Sequence, residues 1–246
     1  MRSLTRSKSR RNAILEDMMA SCQQYIGGEF LNVFRARCTE LLGPAGTWGL
    51  DVDPQDPNAV RFRYPPAVTT SLAYVAPQVV LELGTHAEFV PRDRFAIHSF
   101  VAEEFPNLVT ETHIDVIALF AKRTFWEKAT ILHAEYHRPA EKPLPGRYSR
   151  HYYDVAMLAQ GPIRTEALSD LELLAQVVRH KETFYPSAWA QYGCARQGSL
   201  RLLPAEARLA ALERDYRSMR LMIFGEPPLF ATIMDELRRL ENDINR

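Results

Sequence analysis

The spacing of apolar residues changes period twice along this chain, and that switch limits the possible folds more than any other feature. Between Asn12 and Leu42, residues Ile14, Leu15, Met18, Met19, Cys22, Tyr25 and Ile26 recur at helical spacing. Gly27-Gly28 interrupts, Phe30, Leu31, Phe34 and Leu41 resume, and Gly43-Pro44 closes the segment, so two helices or one broken helix are predicted. From Trp48 to about Phe100 the period is two. Val60, Phe62 and Tyr64 alternate with polar residues, QVVLEL over 78–83 is rich in β-branched residues, and 95–100 gives a third strand. Short proline-bearing turns between them suggest an antiparallel or mixed sheet. Beyond Asp115 the chain reads as helical, with segments expected over 123–138, 149–159, 165–180, 204–224 and 228–244. Ser149 follows a proline-rich loop and is a candidate N-cap. The predicted class is α+β, a small mixed sheet with leading helices followed by a helical bundle, divided into residues 1–115 and 116–246.

Composition matters mainly for what it excludes. A length of 246 residues allows one well-buried domain or two modest ones. Formal net charge is zero, so nucleic acid or anionic membrane would have to be met by a local patch. Arg2, Arg6, Lys8, Arg10 and Arg11 form the one conspicuous basic run, and it reads as a solvated lead-in to the first helix rather than a transit peptide. Cys22, Cys38 and Cys194 are too far apart for a zinc knuckle or redox motif. No uncharged run is long enough to span a bilayer, and a cytoplasmic, reduced chain without a membrane partner is expected.

The stretch richest in chemistry runs from Arg123 to Ala159. Phe125, Ala129, Leu132 and Tyr136 form an apolar stripe on a helical projection, with Lys128 and Glu135 along its edge. A lysine there can bury its methylene stem and present its ammonium group to a cleft. On the next helix Arg150 and Asp154 are four apart, in the weaker order for a helical pair, and such surface pairs contribute only a few tenths of a kcal/mol. A carboxylate that orients a lysine on the facing helix is a better reason for Asp154. From spacing alone, a solvated Lys128 and a purely structural Asp154 remain the plainer reading.

Phe-Trp-Glu-Lys over 125–128, an Arg-Pro loop, and Ser-Arg-His-Tyr-Tyr-Asp over 149–154 resemble the later motifs of the AbiEii/AbiGii nucleotidyltransferase toxins. The strand ending Leu-Glu-Leu-Gly at 81–84 resembles that family's central strand. The resemblance implies that Lys128 contacts the phosphates of a nucleoside triphosphate (NTP), that Asp154 supports it, and that Arg150 and His151 line the substrate pocket. It further implies Mg²⁺ as cofactor, an RNA acceptor with tRNA as one candidate, a separate antitoxin partner, and a role in abortive infection. A lysine point charge suits the negative charge that develops on a transferring phosphate. Glu82, on the sheet face opposite Leu81 and Leu83, is a candidate metal carboxylate, with a plain surface glutamate as the alternative.

The family's first motif is a Gly-Gly or Gly-Ser turn followed, a helix later, by the metal-holding Asp-x-Asp. In the resemblance this lies before the segment that begins here near Arg6, so Met1 is expected to be an internal or displaced start, or the remnant of a disrupted gene. Gly46 to Asp53 (GTWGLDVD) contains a turn and an Asp-x-Asp, but the spacing is too short and Pro54 follows, so a loop entering the sheet is expected. His133 to His137 imitates zinc motifs, yet no P-C-x-x-C follows and Ala134 stands where a metalloprotease needs Glu. The cluster 181–189 reads as a lock between helices, and 221–228 as a helix end and restart. If a preceding segment is missing, an apolar face should be exposed against the first helix or the 78–83 strand. Three functions follow: a nucleotidyltransferase toxin, an inactive remnant that binds nucleotide or antitoxin, and a helical interaction module without a nucleotide site.

Overall fold

A computed structural model of the chain describes residues 8–65 and 76–246. They divide into two compact units, 1–87 and 88–246. The architecture is α+β, as the sequence predicts.

In the first unit, helix α1 (Lys8–Tyr25) runs through a π-helical turn (Ile26–Phe30) into α2 (Leu31–Leu42). Gly27 and Gly28 therefore widen the helix instead of ending it, since glycine tolerates a loosened turn. Strands β1 (Gly49–Val52), β2 (Ala59–Arg63) and β3 (Gln78–Glu82) follow, all antiparallel in the order β1-β2-β3. In this register Leu50, Val52, Val60, Phe62, Val79 and Leu81 share one sheet face. Buried Leu50 and Val60 join Ile26, Cys38 and Trp48 in the core, with Phe34 and Phe62 packed against it. Arg35 of α2 donates to the Leu50 carbonyl at 3.0 Å and ties helix to sheet.

Within Gly46–Asp53 a turn leads into β1 at Gly49, the loop entering the sheet that the sequence predicts, and both aspartates are held by arginines. Asp51 pairs with Arg63. Asp53 is buried and accepts from Arg61 Nε at 2.6 Å and from the Gln55 amide at 2.8 Å. The Gln55 hydrogen bond, then Arg61, holds its carboxyl below the usual range against the effect of burial.

The second unit opens with a separate hairpin of β4 (Arg92–His98) and β5 (His113–Leu119), linked through the short helix α3 (Phe100–Glu104). Two expectations are corrected here. The third strand pairs in this hairpin and not with the first sheet, so both sheets are antiparallel and neither is mixed. The chain also stays extended to Leu119, because β5 carries the β-branched run Ile114, Val116 and Ile117.

Helices α4 (Ala121–Tyr136), α5 (Ser149–Ala159), α6 (Pro162–Leu168), α7 (Leu171–Phe184), α8 (Leu209–Met219) and α9 (Phe230–Asn245) complete the unit. Helix α4 packs against α5, α6 and α7. Phe125, Trp126, Ala129 and Leu132 are fully buried, whereas Tyr136, expected on the same stripe, is 37% exposed. The single helix expected over 165–180 is two helices. Asp170 separates them, accepting the Leu173 amide at 3.2 Å as the α7 cap and pairing with Lys122 at 2.7 Å.

Loops are fastened by side chains from distant helices. Arg208 donates to the carbonyls of Pro139, Ala140 and Lys142 in the proline-rich loop at 2.9, 3.2 and 2.7 Å. The Trp189 ring lies under Arg138 at 4.6 Å, a contact of the locking kind expected for that cluster. From α9, Glu241 accepts the Leu202 amide at 2.6 Å, and Asn245 exchanges hydrogen bonds with both backbone groups of Leu200 at 3.0 and 2.9 Å.

Candidate functional site

A cleft of about 640 Å³ opens in the second unit, within the usual range for small-molecule sites. Lys128 of α4 and Arg150, His151 and Asp154 of α5 line one part of it. Phe100 of α3 and Met219, Met222, Ile223 and Phe224 at the end of α8 line another. Four of the residues singled out in the sequence thus share one cavity. Glu82 is not among its lining residues; it lies exposed at the end of β3 in the first unit.

Lys128 Nζ donates to Asp154 Oδ2 at 2.6 Å. Both side chains are only partly exposed, at 25% and 32%. The buried anchors Phe125 and Ala129 on α4, and Val155 and Ala156 on α5, fix the two helices so that these side chains meet. Spacing alone offers Arg150 as the partner of Asp154, yet the aspartate reaches across to the facing helix instead. Arg150 is exposed and has no hydrogen bond or ion pair among the described residues.

His151 is buried, only 9% exposed, with its ring edge-on to Tyr148 at 4.9 Å. Its Nδ1 has no hydrogen-bond partner among the described residues. Burial, then the charges of Lys128 and Arg150, lower its pKa to about 4 against the opposing pull of Asp154. The imidazole is therefore neutral near pH 7. Lys181 of α7 adds to the same field, and its own pKa is held down by burial and by Arg123 and Lys128, against Glu127. Lys128 and Arg150 against Asp154 leave the cleft lining with one more cation than carboxylate, a balance that favours an anion.

Comparison with known families gives one result. The model described as nucleotidyl transferase AbiEii toxin, type IV toxin–antitoxin system, matches residues 3–236. The chain belongs to the AbiEii family. No curated protein and no solved structure matches it.

Nucleotidyl transfer in enzymes of this kind calls for carboxylates grouped around Mg²⁺. Among the described residues of this AbiEii chain, no group of three or more His, Cys, Asp or Glu side chains is placed to hold a metal. Asp154 is engaged by Lys128, and Glu127 by Arg123 at 3.0 Å. The residues described do not compose a metal centre. His133, expected from the sequence to be structural, is fully buried with both ring nitrogens used: Nδ1 accepts the Arg201 amide and Nε2 meets the Gln191 carbonyl, each at 3.1 Å.

Sequence reasoning passed over Lys181 and the apolar lining. Lys181 stands in a segment dominated by aromatic residues and reads as part of a packing cluster. Phe224 stands in the MIFG run, whose apolar character marks a helix end and not a cavity wall. Among the described residues, no helix is long and apolar enough to cross a membrane.

Proposed function

We propose that the cleft between α4, α5 and the end of α8 binds the phosphates of an NTP, and that this AbiEii chain transfers the nucleotidyl group to an RNA acceptor, tRNA among the candidates. The observation that carries this reading is the convergence of Lys128, Arg150 and His151 with a single carboxylate, Asp154, on one cavity large enough for a nucleotide. Lys128 supplies a point charge to the phosphates, and Asp154 positions it. Arg150, exposed at the rim, has its guanidinium available for a second phosphate contact. In the transfer, an acceptor hydroxyl oxygen bonds to the α-phosphorus, the bond from that phosphorus to the β-phosphate bridging oxygen breaks, pyrophosphate departs, and the hydroxyl proton passes to water. A separate antitoxin protein would restrain this activity.

One observation favours a second reading, nucleotide binding without transfer: the described carboxylates do not compose a metal centre. Binding of labelled NTP in Mg²⁺ buffer, compared with Lys128→Ala, tests the site common to both readings. Binding that depends on Lys128 supports it, and absence of binding by the unaltered chain removes it. Label appearing on RNA then favours transfer, whereas bound but untransferred NTP favours the second reading.

A further inference from the structure

The nucleotide reading leaves the apolar half of the cleft unused. Phe100 and Phe224 come from separate elements, and their rings stack with centroids 4.8 Å apart and planes inclined by 12°. They nevertheless remain 63% and 74% exposed. Rings so open to water gain little from burial, so packing is a weak reason for holding them together. Stacking covers one face of each ring and leaves the other outside the pair. Both rings line the cavity that holds Lys128, Arg150 and His151, which is thus cationic in one part and aromatic in another.

We propose that Phe100 and Phe224 form a stacking platform for the nucleobase of the nucleotide whose phosphates meet Lys128 and Arg150. This rests on the cleft being a nucleotide site, and it adds how the base is recognised. The neighbouring apolar residues, Met219, Met222 and Ile223, have no side-chain N–H or O–H group to offer a base edge, and Tyr153 of α5 adds one hydroxyl to the lining. What the two rings themselves recognise is the base's face, which every base possesses. The platform ranks nucleotides by ring area, purines above pyrimidines, and separates adenine from guanine little.

The test compares ATP, GTP, UTP and inorganic tripolyphosphate by calorimetric titration of the full chain, of Phe224→Ala, of Phe100→Ala and of Lys128→Ala. Because both phenylalanines are largely exposed, either alanine variant is expected to keep the thermal midpoint of the unaltered chain. Expected is a loss of about tenfold in ATP affinity in each phenylalanine variant, typical of a removed stacking partner, with tripolyphosphate affinity unchanged. Lys128→Ala should weaken both ligands. If the phenylalanine variants bind ATP as the unaltered chain does while Lys128→Ala weakens it, the nucleotide site stands and the platform is wrong, leaving the rings as a surface for a protein partner. An equal loss of ATP and tripolyphosphate in the phenylalanine variants also overturns the platform. If neither ligand binds the unaltered chain, the nucleotide reading falls and the platform with it.

Discussion

Asp215 of α8 holds Ser149 at the start of α5, accepting its backbone N–H at 2.9 Å and its Oγ–H at 2.6 Å. The other carboxylate oxygen accepts the Arg147 amide at 2.8 Å. Ser149 is thus not the N-cap its position suggests; a carboxylate 66 residues away serves the orphan amides of the helix that carries Asp154. Asp215→Ala should lower unfolding free energy by about 2–3 kcal/mol, as expected when hydrogen bonds to a charged group are lost. Urea denaturation would check this, and an unchanged midpoint would show that α5 needs no such anchor.

The Lys128–Asp154 pair should matter far more to ligand than to fold. It is partly open to solvent, so a double-mutant cycle on stability should return a coupling of at most about 1 kcal/mol. Nucleotide affinity should fall in Lys128→Ala, and also in Asp154→Ala, where the lysine persists without its guide. A large stability coupling with undisturbed affinity would make the pair structural only.

His151 gives stability a defined pH dependence. Its folded pKa of about 4 lies below the ordinary value of 6.5, so the unfolded chain takes up the proton first on acidification. The contribution is complete above pH 6.5 and is lost as pH falls towards 4, amounting to about 3 kcal/mol across the window. His151→Gln should flatten the stability profile between those limits in denaturant titrations at several pH values. A profile unaltered by the substitution would place the titrating group elsewhere.

The hairpin β4–β5 presents one apolar face, because its register puts Phe95, Ile97, Ile114 and Val116 together. Ile97, Ile114 and Val116 are 51%, 64% and 41% exposed. In the first unit, Val79 and Val80 of β3 are also exposed, on opposite faces of the strand; the sequence points to that strand and not to the hairpin. Self-association through such a surface is expected. Sedimentation velocity should show a coefficient that rises with concentration, and Ile97→Lys with Ile114→Lys should abolish the rise. A concentration-independent monomer in the unaltered chain would contradict this.

What the sequence disclosed followed from strong local signals. The bounds of α5 at Ser149 and Ala159 are legible because a proline-rich loop precedes it and Gly161-Pro162 follows closely. Lys128 and Asp154 are legible because motif and helical phase agree. The strand 113–119 is hidden because a short apolar run beside a helix carries no period of its own. The break at Asp170 is hidden because its cap depends partly on Lys122, 48 residues earlier. Likewise, no spacing rule places Phe100 opposite Phe224; only the folded chain brings α3 to the end of α8.

Helix α9 supplies Ile233, Leu237 and Leu240 to the core and packs on α5, while Glu241 and Asn245 tie down the 200–203 loop. During synthesis, α5 leaves the ribosome long before its covering helix exists. The nascent second unit therefore passes through a period in which its apolar helical face is open to other chains. Slow translation between codons 160 and 230 would lengthen that exposure, making yield sensitive to chaperone supply even where the finished fold is secure.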